Sequence, residues 1–358
     1  MERETAVSSN EFLKRLGLQH PIIQGPMGGG FTTPDLVAAV SNAGGLGSLG
    51  SAYQTPMQIA DDVKRIRIAA PQKPFNVNVF AGGYATQNNV KPEPMLEIVG
   101  RVHKILGLPP PTRPSLTADP LPAQLDAILT ARPPVFSFAF GIPKVPDIKR
   151  LQAAGIYVIG TATTLDEAKQ LEASGVDAIV AQGEEAGGHR STFAVPFEQG
   201  MVPTMDLVKQ IAGATPLPIL AAGGIMDGGD ISDALAFGAS AAVLGTAFLC
   251  CPEASTPPAH KSALLEAGPN STAITRAFSG RPARGLMNAF MEQLADKQSI
   301  ILPFPLQNNL TRPLRSAANK DGVRRYMSLW AGTGVARTRE MPAAALVAAL
   351  AQELADAG

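Results

Sequence analysis

Only two of the 358 residues are cysteine, Cys250 and Cys251, and they are adjacent. Neighbouring cysteines rarely bond to each other, and one pair cannot form the disulfide framework of a small secreted domain. Two small buried thiols are expected instead. Net charge is also missing, since 30 basic residues balance 30 acidic ones. That balance gives no electrostatic pull towards nucleic acid or an anionic membrane, so neither is expected as a partner. No charge-free apolar run approaches the roughly 18 residues of a membrane span. The longest, Ala234 to Cys251, is interrupted by Gly238 and Gly245. The first 18 residues carry charges throughout and no apolar signal core. A soluble, cytoplasmic protein is the expectation.

Several catalytic signatures are absent as well. No second histidine or cysteine lies at ligand spacing from any of the four histidines, so no metal site is expected. No G-x-S-x-G elbow lies at a strand-to-helix turn. Gly45 to Gly50 matches G-x-G-x-x-G, but the helix precedes it and the strand runs through it. The dinucleotide fingerprint needs the opposite order.

What the chain does have is apolar material, 45% of its residues, with 17% charged. This supports a large core and excludes a disordered chain. Eight short runs read as strands: Pro21–Pro26, Leu46–Ala52, Phe75–Phe80, Val135–Gly141, Tyr157–Ala162, Ala178–Gly183, Pro218–Gly224 and Ala241–Phe248. Most are nearly continuous in apolar residues, as strands covered on both faces of a parallel sheet are. Amphipathic segments alternate with them, such as Pro34–Asn42, Leu165–Ser174, Met205–Ala212 and Asp230–Phe237, the last with Asp230 as its expected N-cap. Eight strand–helix units predict an α/β fold, a (β/α)8 TIM barrel over residues 15–250. A doubly wound open sheet is the alternative.

Two regions depart from the repeat. Residues 82–134, after strand three, are rich in proline and hold two expected helices, Met95–Leu106 and Ala123–Ala131. They read as an insertion that leaves the barrel. Residues 251–358 read as a mainly helical region that covers the barrel mouth and ends in Pro342–Leu354.

Active sites of such barrels lie at the C-terminal strand ends, and the loops after strands seven and eight often bind phosphate. Gly223-Gly224 and Gly245-Thr246 stand at those two ends and offer bare peptide N–H groups. Following helix N-termini are expected to add partial positive charge. His189 follows Gly187-Gly188 after strand six and is the candidate proton-exchanging group. His20, His103 and His260 lie at no C-terminal strand end and are expected to be structural or exposed. Glu184 and Glu185 are expected to be solvated, or one of them to orient a neighbour.

With these residues in view, the chain resembles the class I nitronate monooxygenases, once called 2-nitropropane dioxygenases. PIIQGPMGGG, PFNVNVF, AQGEEAGGHRST and the long glycine-rich stretch from Pro218 carry the resemblance, together with Leu302–Pro305, Asn308 and Ser328–Gly332. The resemblance implies FMN as cofactor. Met27, Asn78, Gln182 and Gly187 would contact its ring and ribityl chain, and Gly224 with Val243, Leu244, Gly245 and Thr246 its phosphate. Trp330 would wall the pocket. The implied reaction is oxidation of an alkyl nitronate, or a nitroalkane, by O2 to a carbonyl compound and nitrite. His189 would act as base, and a homodimer is compatible with the family. Two positions depart from the pattern: Ser191 replaces a common glycine, and Thr333 a usual glutamine. Both bear on substrate choice. An FMN-dependent enoyl-acyl-carrier-protein reductase using NAD(P)H, and a barrel that binds flavin or a phosphorylated ligand without catalysis, are the alternatives.

Overall fold

The computed structural model of the chain describes residues 9–84, 87 and 89–357. Residues 1–8, part of the stretch read for a signal core, and residues 85, 86 and 88 of the expected insertion lie outside the described residues. The first six strands are β1 (Ile22–Gln24), β2 (Gly47–Gly50), β3 (Phe75–Phe80), β4 (Val135–Ala139), β5 (Tyr157–Ala162) and β6 (Ala178–Gln182). A two-residue strand, β7 (Gly188–His189), then leaves the barrel before β8 (Ile219–Ala222) and β9 (Ala241–Leu244) complete it. The eight barrel strands are parallel in the order β1-β9-β8-β6-β5-β4-β3-β2. An Ile23–Leu46 bridge closes the ring, with Gln24 N donating to the Leu46 carbonyl at 3.0 Å. All eight expected strands are present, so closure rather than an open sheet is the architecture.

The apolar runs form strands because both faces are covered. Every residue of β3 is buried, with Phe75, Val77 and Val79 turned to the helix-facing core and Asn76, Asn78 and Phe80 to the interior. The interior is not filled by aliphatic side chains alone. Ser48, Asn76, Asn78 and Ser137 point inward, and Ser137 Oγ accepts from both asparagine amides at 2.8 Å. The bottom is closed by the helix Ser9–Leu16, whose Phe12 packs with Leu18, Ile159 and Leu220.

The excursion after β3 is partly corrected. Its first helix, Glu93–Ile105, does leave the barrel and packs against the helix Leu306–Asp321. The second, Leu121–Ala131, returns to the wall beside Pro56–Ala69 and is the third barrel helix. The last helix, Ala343–Ala357, was expected over the mouth. It lies instead on the barrel wall between Gly228–Ala236 and Pro34–Asn42, in the place of the eighth helix. Leu346, Val347 and Leu350 belong to the barrel core. The segment between is helical but also carries the hairpin β10 (Thr272–Thr275) and β11 (Ala283–Leu286), which pairs with β7 in a second, antiparallel sheet. The cap expected at Asp230 is at Asp227, whose side chain accepts from Asp230 N. No helix among the described residues is long and apolar enough to cross a membrane.

Candidate active site

The C-terminal ends of the barrel strands open into a cavity of about 610 Å³, a size that holds a cofactor. One end is made of backbone. Gly223 and Gly224 follow β8, Val243 lies in β9, and Gly245 and Thr246 follow it; all five line the cavity. Leu244 does not, because strand alternation turns its side chain into the barrel core, and its carbonyl accepts from Gly25 N at 2.8 Å. The amides of Gly224, Gly245 and Thr246 donate to no acceptor among the described residues. A Cβ on Gly245 would meet nothing within 4 Å, so the space beside this glycine is open. Buried peptide N–H groups need partners, and a cluster of free ones suits an oxyanion. The expected helix N-terminus after β8 does not contribute: Gly228 N donates to Glu353 at 2.9 Å, and Asp230 N to Asp227 at 3.0 Å. The short 3-10 turn after β9, Thr246–Phe248, leaves its first amide free.

The opposite end is made of side chains. The pairing of β7 with β11 sets His189 opposite Ala283. Its ring lies 5.5 Å from Trp330, 5.8 Å from Phe140 and 6.3 Å from Phe80, centroid to centroid. Nε2 is 2.8 Å from Ser279 Oγ. Burial first, then the charges of Arg281 and Arg315, pushes the imidazole pKa down from 6.5 to about 3. The group is therefore a neutral proton acceptor at physiological pH.

The loop carrying it is tightly held. Gln182 lines the cavity, but its Oε1 accepts from Ser191 N at 2.8 Å and its Nε2 donates to the His189 carbonyl at 3.1 Å. Buried Arg190 donates to the carbonyls of Gln182 and Gly200, each at 2.9 Å. Glu185 orients a neighbour: its carboxylate accepts from Thr204 N at 2.9 Å and Thr204 Oγ1 at 2.6 Å. Gly187 lines the cavity and has Gly332 N where a Cβ would go, 2.5 Å away. Met27, Asn78 and Trp330 line it as well. Ser191 also faces the cavity, whereas Thr333 stands beside Gly224, at the backbone end. His103 and His260 are buried away from the cavity, the first with Nδ1 2.6 Å from the Pro109 carbonyl.

Sequence reasoning missed four groups here. Ser279 gave no signal, and neither did Arg281, whose guanidinium lies 3.8 Å from the Phe140 ring centroid. Arg312 and Arg315 had one: Asn308, Arg312, Arg315 and Asn319 step by four, three and four along one helix face, and all line the cavity. Burial pulls Arg281 and Arg315 down to about 10, still charged at neutral pH. Their hydrogen bonds go to neutral oxygens, the Thr192 carbonyl and Asn308 Oδ1 among them. Among the described residues none of the three arginines has a carboxylate partner. No group of three or more metal-ligating residues occurs among the described residues.

A family model described as nitronate monooxygenase matches residues 10–353. The chain belongs to the nitronate monooxygenase family. It is an oxidoreductase that acts on nitro compounds. A "probable nitronate monooxygenase" of Bacillus subtilis is 38% identical over 96% of this chain and 99% of its own length. A Staphylococcus aureus protein of the same description is 38% identical over 91% of each chain. Among solved structures, nitroalkane oxidase from Streptomyces ansochromogenes superposes with a TM-score of 0.88 at 40% identity, covering 97% of this chain and 98% of that one. FabK from Thermotoga maritima is more distant, at 0.75 and 27%, over 96% of this chain and 95% of its own.

Proposed function

We propose that the chain is an FMN-dependent nitronate monooxygenase, oxidising alkyl nitronates with O2 to a carbonyl compound and nitrite. The observation that carries this reading is one cavity with free peptide donors at one end and a neutral imidazole beside unpaired arginines at the other. The free amides of Gly224, Gly245 and Thr246 suit a phosphate held by backbone alone. Met27, Asn78, Gln182 and Gly187 line the space between, where a flavin ring and ribityl chain would be held; Asn78 and Gln182 keep amide valences to spare. Val243 and Gly223 would flank the phosphate. When bound, FMN supplies the electron acceptance and the reaction with O2.

The rest falls to the protein. Phe80, Phe140 and Trp330 pack around the His189 ring. Arg281, Arg312 and Arg315 give the mouth a positive potential, which favours a nitronate anion over its neutral acid. Towards a neutral nitroalkane, His189 acts as base at the α-carbon. The arginine charge then stabilises the nitronate as it forms. The test is an absorption spectrum of purified protein, then oxygen uptake with a nitronate and no nicotinamide. A yellow protein that consumes O2 supports the proposal. Bleaching by NADH without nitronate turnover would support the reductase alternative, and a colourless protein would sink both.

A further inference from the structure

We propose that Ser279 is the positioning residue of His189, fixing the imidazole as its Nε2–H tautomer so that Nδ1 is the nitrogen that receives the substrate proton. The inference rests on the proposed role of His189 as a base. It follows from counting hydrogens. A serine hydroxyl has one hydrogen to give and two lone pairs. Three groups surround Ser279 Oγ: the Arg281 amide at 3.2 Å, which can only donate; the Arg281 carbonyl at 3.2 Å, which can only accept; and His189 Nε2 at 2.8 Å. That carbonyl has no other donor among the described residues. The single serine hydrogen belongs there, and both lone pairs face N–H groups. Nε2 therefore carries a hydrogen and Nδ1 a lone pair.

The remaining geometry agrees. Nδ1 has no protein partner among the described residues, and unlike Nε2 of His103 and of His260 it is not sealed from solvent-accessible space. Ser279 is itself 1% exposed. Gly280 stands at φ +84, and a Cβ on it would lie 2.3 Å from the Leu302 carbonyl oxygen. Ser279 comes from the segment after the barrel, so the base on β7 is oriented from outside the barrel.

In the reaction, the α-C–H bond of a nitroalkane breaks and its electron pair moves into the nitro group, giving the nitronate. The proton rests on Nδ1, while Nε2–H keeps its bond to Ser279. The added proton returns to water when products leave. With Oγ removed, the ring is free to turn or change tautomer, and the reacting nitrogen is displaced.

Nitrogen-15 NMR of histidine-labelled holoenzyme tests this, with the His189 signals assigned by their loss in His189→Asn. In the wild type Nε2 should resonate as protonated and Nδ1 as unprotonated. The opposite pattern overturns the proposal without any Ser279 variant having to fold. In Ser279→Ala, with flavin content checked by absorbance, the tautomer preference should be lost. Turnover of a neutral nitroalkane should fall by up to roughly 100-fold, as for a misplaced catalytic group, and turnover of preformed nitronate far less. Ser279→Thr, which keeps a hydroxyl, should recover part of the loss. Unchanged nitroalkane turnover in Ser279→Ala would overturn the proposal. Full turnover by His189→Asn would instead overturn the base reading, and it leaves the wild-type spectrum as it was.

Discussion

At the β8–β9 end of the cavity the protein presents peptide groups, and at the β7–β11 end it presents side chains. The first surface is a by-product of strands that stop at glycines, so it depends little on side-chain identity and strongly on what a new Cβ would fill. The second is assembled from distant stretches: the ends of β3 and β4, the β7 loop, the turn at 279–281, the helix Leu306–Asp321 and Trp330. It depends on each side chain and on the seam that joins the stretches. The two ends should therefore fail separately.

The largest effect is expected at the side-chain end. His189→Asn should keep its flavin and lose about 10²–10⁴-fold in turnover of a neutral nitroalkane, the usual worth of a positioned base, with a smaller loss on preformed nitronate. Steady-state oxygen uptake on both substrates checks this, and equal losses would erase the contrast between the ends. At the backbone end, Gly245→Val puts a side chain where nothing in the protein stands, at an ordinary φ of −98°. The fold should survive. Each phosphate hydrogen bond displaced is worth about 1.5–3 kcal/mol, so flavin affinity should drop at least about tenfold while apoprotein stability holds. Titration of apoprotein with FMN and a melting curve separate the two.

The seam is the next target. Gly187→Ala would set a methyl 2.5 Å from Gly332 N, an overpacking cost of about 1–3 kcal/mol. Denaturant unfolding should show that loss even without flavin. A further effect is on pH dependence. The folded pKa of His189, about 3, lies below the ordinary 6.5, so between those values the unfolded chain binds the extra proton. The stability contributed by the neutral ring is complete above pH 6.5 and is lost as pH falls towards 3. The wild type should therefore lose stability more steeply than His189→Asn across that window, measured by urea unfolding at stepped pH.

Much of the barrel was legible because its signal is local. Continuous apolar runs of strand length, alternating with helical steps, appear in the residues themselves, and all eight strands form. The positional rule for barrels then picked out His189 and the glycines after β8 and β9. Leu244 was misplaced because alternation along a strand sends neighbours to opposite faces, and sequence proximity to Gly245 hides that. The same limit explains Asp230, one turn inside the helix that Asp227 caps.

Packing between distant segments was not legible. Ala343–Ala357 reads as an amphipathic helix, and nothing in it says that its partner is the gap between the first and seventh barrel helices. Ser279 and Arg281 occupy an unremarkable stretch and gain meaning only when β11 pairs with β7. Arg312 and Arg315 stood on a readable polar stripe, but a polar stripe is usually a solvated face. By itself, then, the sequence determined the barrel and put glycines and one histidine at the ends of its strands, because periodicity and glycine placement act over a few residues. Only the tertiary structure decided what surrounds that histidine, since its partners are 49 to 141 positions away and contact at such separation is set by how whole elements pack.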